Sequence, residues 1–237
     1  MIDFLKIKVT DANTIKYFKE HHLLYFHSER EVLLFDMETI TSKTIKQYKG
    51  ILFEFTKYAL NIYFKPHYYF NDNLHNANDF SVLNCIRILK EFTKFFKVDL
   101  WHLLIINIEF GLNIIMPKQL ICVKDLLAYM IYHEQNEFHT DRKYTHCRFS
   151  HSTNRNGKAN VYKMIKAYAK GLQFPTYTDL NNFRFEVKSN RKNYINSLGI
   201  YTLQDLLKPN TYHLLSETIL NKFDEVLIID DIAKPKL

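Results

Sequence analysis

The chain has 237 residues, with 32 Lys and Arg against 25 Asp and Glu, a net charge of +7 and a pI near 9.1. Its 19 Phe and 16 Tyr, set against only five Gly and five Pro, exclude a disordered or linker-like chain, and an apolar fraction of 47% suits a globule that builds its own core. The positive balance suits a polyanion such as nucleic acid, although codon usage in an AT-rich genome writes the same composition.

Leu5, Ile7 and Val9 alternate with Lys6 and Lys8, the pattern of a half-buried first strand. Thr10 or Asp11 then caps a short helix running to about Glu20. Residues 23–26 and 32–35 read as two strands around Ser28-Glu29. Residues 51–55 and 60–64 read as a hairpin, and Asn71-Asp72-Asn73 as a turn. From Asp79 as N-cap, Val82, Leu83, Ile86, Leu89, Phe92 and Phe96 trace a helical stripe. A long strand covers 103–114 and a second amphipathic helix 119–132. The polar, basic stretch 133–160 reads as a loop. Strands follow at 161–170 and 183–188, then short helices with Gly199 as C-cap, and a last helix over 211–226. Alternating strands mixed with helices predict an α+β fold, a mainly antiparallel sheet with helices packed on one face. Two similar halves meeting near residues 97–102 are one arrangement of it, with no sequence repeat to mark them.

Three cysteines, Cys85, Cys122 and Cys147, show no framework spacing, so reduced thiols and a cytoplasmic setting are expected. The opening Met1-Ile2-Asp3-Phe4-Leu5-Lys6 is not that of a signal peptide, and no apolar run is long enough to predict a membrane span.

Three of the strands carry a polar face. Asn107, Glu109, Gly111 and Asn113 share one side of the first. Lys166, Tyr168 and Lys170 share one side of the second, and Arg184, Glu186 and Lys188 one side of the third. The plain reading is the solvent face of a half-covered sheet. The functional reading gathers two carboxylates, a tyrosine and several cations. Lysines beside the phenol would favour the phenolate and hold a phosphate, and Glu109 and Glu186 could hold Mg²⁺ or Mn²⁺ through oxygen. Attack by tyrosine on a phosphodiester then leaves a covalent phosphotyrosine and a free 3′ hydroxyl.

Phe183-Arg184-Phe185-Glu186-Val187, Tyr194, Leu198-Gly199-Ile200 and Leu203-Gln204-Asp205-Leu206 together resemble the C-terminal signature of the filamentous-phage gene II/gene X type replication proteins of phages and plasmids. Ile106-Asn107-Ile108-Glu109-Phe110 resembles their central acidic strand. Lys166-Ala167-Tyr168-Ala169-Lys170-Gly171-Leu172-Gln173 is similar to the segment that carries their nucleophile, and Met1 to Leu5 to their first strand. The resemblance spans nearly the whole chain as one initiator domain. It implies rolling-circle replication: metal-dependent nicking of an origin by Tyr168, with Glu109 and Glu186 at the acidic positions. DNA would be the partner, single- and double-stranded, with a host helicase and polymerase acting in the bacterial cytoplasm. Asn107 stands where relatives often have Arg, Tyr63-Phe64-Lys65-Pro66 replaces a Ser-Pro and Gly-rich stretch, and the chain stops soon after a helix beyond which relatives continue. The replaced stretch bears on origin recognition, and the early end implies either loss of rejoining and termination or a truncated chain. The His-hydrophobic-His triplet of another kind of nickase is absent, so a carboxylate site is expected.

Lys166, Lys170 and Arg184 are the expected phosphate-side cations, and Tyr162 the alternative nucleophile. Arg142, Lys143, Arg148, Arg155 and Lys158 could track DNA phosphates, with Tyr144 and Phe149 stacking on bases. The irregular spacing of His133, His139, His146, Cys147 and His151 argues against zinc. No Walker-type loop is present. A DNA-binding protein without nicking activity is the competing reading.

Overall fold

The computed structural model describes residues 1–33, 40–153 and 159–229. In chain order its elements are β1 (Ile2–Val9), α1 (Ala12–Glu20), β2 (Tyr25–Leu33), β3 (Ile40–Tyr48), β4 (Ile51–Phe55), β5 (Leu60–Phe64), α2 (Pro66–Phe70), α3 (Val82–Phe96), β6 (Leu104–Ile115), α4 (Val123–Tyr129), β7 (Met130–His133), β8 (Asn136–Glu137), β9 (His139–Thr140), β10 (Cys147–Thr153), β11 (Ala159–Ala169), α5 (Lys170–Gln173), β12 (Asn182–Ser189), α6 (Lys192–Ser197), α7 (Pro209–Asp224) and β13 (Val226–Ile228). The fold is α+β, built on one ten-stranded sheet of order β2-β3-β4-β5-β1-β6-β12-β11-β10-β9, with β13, β7 and β8 forming a small second sheet.

The order is symmetrical about the β1–β6 pair. Each half begins with its innermost strand, passes through a helix, and returns by an antiparallel meander whose last strand docks beside the first. A long helix, α3 or α7, closes each half. The two innermost strands pair antiparallel, Leu5 opposite Ile108, and the passage from α3 to β6 spans residues 97–103.

Alternation explains which face is buried. Leu5, Ile7, Val9, Phe53, Ile62, Phe64, Ile108, Phe110, Phe183, Phe185 and Val187 point into one core, capped by Phe92 and Phe96 of α3 and by Tyr212, Leu215 and Ile219 of α7. Phe96 touches Phe18, Phe53 and Phe92 with ring centroids 4.8–5.4 Å apart, and such edge and tilted contacts add to simple burial.

Several boundaries differ from expectation. Ser28-Glu29 lies inside the continuous strand β2, which absorbs its polar residues through an irregularity between Phe26 and Ser28; Leu34 and Phe35 lie outside the described residues. Ser81, not Asp79, caps α3, its hydroxyl accepting from the Asn84 amide. The helix read over 119–132 is the shorter α4, giving way to β7. The stretch read as a loop holds β8, β9 and β10, whose polar residues sit on strands near the sheet edge. Lys170 opens α5 instead of ending a strand. Among the described residues, no helix is long and apolar enough to cross a membrane.

Candidate active site

The three polar strand faces are neighbours. Lys166 pairs across from Glu186 and Tyr168 from Arg184 on β11–β12, while Arg184 lies opposite Asn113, Glu186 opposite Gly111 and Lys188 opposite Glu109 on β12–β6. They floor a cleft of about 500 Å³ whose walls include Lys65, Tyr68 and Asn76 on one side and Asp141 and Tyr144 on the other. Gly111 makes the close approach possible. A Cβ there would stand 2.4 Å from the Phe185 carbonyl oxygen and 2.8 Å from Glu186 Cγ.

Tyr168 donates its hydroxyl to Glu186 Oε1 at 2.5 Å. It is 8% exposed, and burial together with the adjacent Glu186 pushes its phenol well above 10. Phenolate is therefore disfavoured here, against the expectation that neighbouring lysines would promote it. Lys170 Nζ lies 5.2 Å from the Tyr168 ring centre and donates to Asn76 Oδ1 at 2.5 Å. Burial, and then the Arg184 charge, lower Lys170 to about 8.

Arg184 is a buried keystone, 1% exposed, neither a surface ion pair nor a free phosphate ligand. Its guanidinium reaches Asp3 Oδ2 at 2.5 Å, Glu186 Oε1 at 2.6 Å and Asn113 Oδ1 at 2.6 Å. Asp3 was not among the expected site residues. Alternation aims it at the core with Leu5 and Ile7, but a bulge between Ile2 and Phe4 turns it to the other face; bulges re-aim side chains in this way. An acid interrupting the buried register of a strand was the one signal available. Burial alone would raise the Asp3 carboxyl, but Arg184 and the His67 hydrogen bond outweigh it and hold Asp3 well below the usual carboxylate range. Burial pushes Glu186 up; Arg184 opposes this and Asp3 adds to it. Both carboxyls lie on the Arg184 guanidinium, which is the cation that lets neighbouring carboxylates ionise.

Helix α2 and the connection that follows it, read in the sequence only as the turn at Asn71-Asp72-Asn73 and a cap at Asp79, lock this group in place. His67 stacks on Phe80 and sets Nδ1 3.3 Å from Asp3 and Nε2 2.9 Å from Asn78. Asn76 donates to Asp3 Oδ2 at 3.2 Å, so it joins Asp3 to Lys170.

Glu109 faces the cleft, but its oxygens are engaged by Lys188 and by Lys166, the latter at 3.7 Å. The expected metal pair is therefore split. Glu186 partners Asp3, whereas Glu109 is neutralised by lysines. Among the described residues, the one group of three ligand atoms within 4.8 Å is His133, Glu134 and Glu225, elsewhere in the molecule, with Lys163 and Lys222 already on its carboxylates. The oxygen donors Asp3 and Glu186 are of the kind that a hard divalent cation takes.

Tyr162 lies six residues from Tyr168, about 20 Å along the strand. It lines a different pocket and packs on Tyr194 with ring centres 5.4 Å apart, which removes it as the alternative nucleophile of this cleft. Arg142 and Lys143 are exposed in the turn between β9 and β10, and Arg148 donates to Thr140 Oγ1 at 2.8 Å. Arg155 and Lys158 lie outside the described residues. Tyr144 donates its hydroxyl to the Ala169 carbonyl at 2.6 Å, and Phe149 stacks on His151, so both rings have protein partners.

No protein-family model matches this sequence, and no curated protein matches it. Among solved structures, the chain is similar to a rolling circle replication initiator protein from Geobacillus stearothermophilus, at 8% identity over 87% of this chain and 78% of that one, with a TM-score of 0.46.

Proposed function

We propose that this protein is a rolling-circle replication initiator whose cleft breaks a DNA phosphodiester by transesterification, with Tyr168 as nucleophile. The observation that carries the reading is the 2.5 Å contact between the Tyr168 hydroxyl and Glu186 on the floor of a lysine-walled cleft. A phenol held above its ordinary pKa needs a base in contact with it. Glu186, raised by burial, is a stronger base than an ordinary carboxylate and touches the proton to be removed.

The Tyr168 oxygen then bonds to phosphorus as the bond to the departing 3′ oxygen breaks, leaving a 5′ phosphotyrosine. The departing oxygen takes a proton from Lys170, which is mostly ammonium at neutral pH and, with a value about 8, able to give it up. Lys166 and Lys188 line the cleft beside the position of the phosphate. Arg184 holds Asp3 and Glu186 in place from below and positions them without touching substrate. Asp3 and Glu186 would hold Mg²⁺ or Mn²⁺, with Glu109 the further carboxylate facing the cleft. Such an ion supplies Lewis-acid polarisation of the phosphoryl oxygens.

The test incubates supercoiled DNA carrying the parent element's origin with Mg²⁺ or Mn²⁺ and wild-type or Tyr168→Phe protein. Nicked DNA with covalently attached wild-type protein, both absent from the variant, is the expected result. Nicking that survives in Tyr168→Phe would remove the tyrosine mechanism. Retardation of DNA by both proteins, with nicking by neither, would leave a DNA-binding protein.

A further inference from the structure

Beside the cleft, α2 and the connections after α2 and α5 bring four rings together. Phe174 lies 6.5 Å from Tyr68 and 6.4 Å from His75, and His75 stacks on Tyr177 at 3.9 Å and 28°. The rings carry lysines: Lys65 Nζ is 5.6 Å from the Tyr68 centre, and Lys170 Nζ is 4.8 Å from the Phe174 centre. Lys170 therefore stands between Phe174 and Tyr168, which ties the rings to the reacting hydroxyl. The outermost ring, Tyr177, is 45% exposed although its inner side rests on the buried His75 imidazole.

Simple packing of two loops would bury these rings instead of grading them from buried to open. The set is also fixed in advance. The Tyr177 amide donates to the Phe174 carbonyl at 3.1 Å, and Asn182 holds Thr178 Oγ1 at 2.7 Å. Gly171 admits the following loop so closely that a Cβ would stand 2.0 Å from the Asp179 carbonyl oxygen. Rigid aromatic faces interleaved with ammonium groups match what unpaired nucleotides offer, a π face and a phosphate at each step. Bases inside a duplex are stacked on each other and cannot use such faces.

We propose that Tyr68, Phe174, His75 and Tyr177 form a stacking platform for unpaired nucleobases flanking the phosphate that lies over Tyr168. The proposal rests on the strand-transfer reading for its location, and makes single-strandedness beside the cleavage position a requirement of this cleft. Because stacking grows with ring area, purines are preferred over pyrimidines at the platform.

The probe is a short mixed-sequence DNA strand carrying 2-aminopurine at successive positions, bound in EDTA so that no strand transfer occurs. Quenching of 2-aminopurine at one or two adjacent positions is expected with wild-type protein. Tyr177→Ala and Phe174→Ala lose that quenching and bind the strand about tenfold more weakly, whereas Tyr177→Trp keeps both, and duplex of the same sequence is bound equally by all. Near-ultraviolet circular dichroism reports whether each variant is folded, and Tyr177, being exposed, is the variant that decides. Unchanged quenching and affinity in folded Tyr177→Ala, or an equal loss for strand and duplex, would overturn the platform. Wild-type protein that shows the quenching but never nicks origin DNA would retain the platform and overturn the nicking reading; protein that nicks while Tyr177→Ala matches wild type in both binding readouts would do the reverse.

Discussion

Lys170 shows how one buried charge ties stability to chemistry. It is 1% exposed, and burial with Arg184 lowers it from 10.5 to about 8. Between those values the unfolded chain binds more protons than the folded one, so this group's contribution to stability rises with pH across that window. Below it both states are charged, and the folded state carries the full cost of the buried ammonium, ~3 kcal/mol for a shift of this size. Lys170→Met removes the effect. Measured by chemical denaturation from pH 7 to 10, the stability of the variant relative to wild type is expected to be most favourable at pH 7 and to fall by up to ~3 kcal/mol toward pH 10. A difference that stays flat would mean that Lys170 does not titrate there. In its proposed role as proton donor, the same group predicts a wild-type nicking rate that declines above pH 8, and a Lys170→Arg variant, charged throughout, that lacks this decline.

At the level of elements, the site depends on how closely β6 and β12 approach. Gly111→Ala would drive a methyl group into the Phe185 carbonyl and the Glu186 side chain, neither of which can yield without opening the ladder between these strands. Overpacking of this kind costs about 1–3 kcal/mol, and Glu186 would be pushed off the Tyr168 hydroxyl. A lower thermal midpoint together with loss of the covalent adduct is expected, and a variant that nicks normally would deny Gly111 this role. The faces of β6, β11 and β12 were legible in the sequence because strict alternation places Glu109, Tyr168, Arg184 and Glu186 without any knowledge of the fold. Three things escaped alternation. Asp3 is turned by a bulge, which shifts the period by one residue. His67 sits in the one-turn helix α2, and Asn76 and Asn78 in the connection after it, segments too short or irregular to show a period. The strands β8 and β9 have two residues each, and β10 carries polar residues such as Arg148, Ser150 and His151 near the sheet edge, so no apolar alternation marks them. The position of Arg184 beneath the carboxylates depends on side-chain direction across two strand pairs, which sequence separation does not encode.

Across the whole molecule, the symmetrical order of the sheet sets the first half to support the second. The strands β6, β11 and β12 that floor the cleft belong to the second half, while the first contributes Asp3 from β1, His67 from α2 and Asn76 from the loop after it, so the cleft forms only where the halves meet. The net charge of +7 is a property of the chain and does not say where a polyanion binds; the proposed function puts it at the cleft, where Lys65, Lys166, Lys170 and Lys188 stand around one volume with Asp3, Glu109, Asp141 and Glu186. Release of counterions from a bound single strand makes log affinity fall with log salt by ~0.7 for each phosphate neutralised. Lys65 is exposed at the mouth of the cleft, over the Tyr68 ring, and lies outside the buried network. Lys65→Gln is therefore expected to leave folding intact and to reduce the salt slope for single-stranded DNA by ~0.7. Lys94→Gln, on the exposed side of α3 and absent from the cleft lining, is expected to leave the slope unchanged. Fluorescence anisotropy titrations across a range of salt concentrations give both slopes. Equal slopes for wild type and both variants would place the strand elsewhere on the surface. A reduced slope for Lys94→Gln alone would move it to the helical face and separate DNA binding from the Tyr168 cleft.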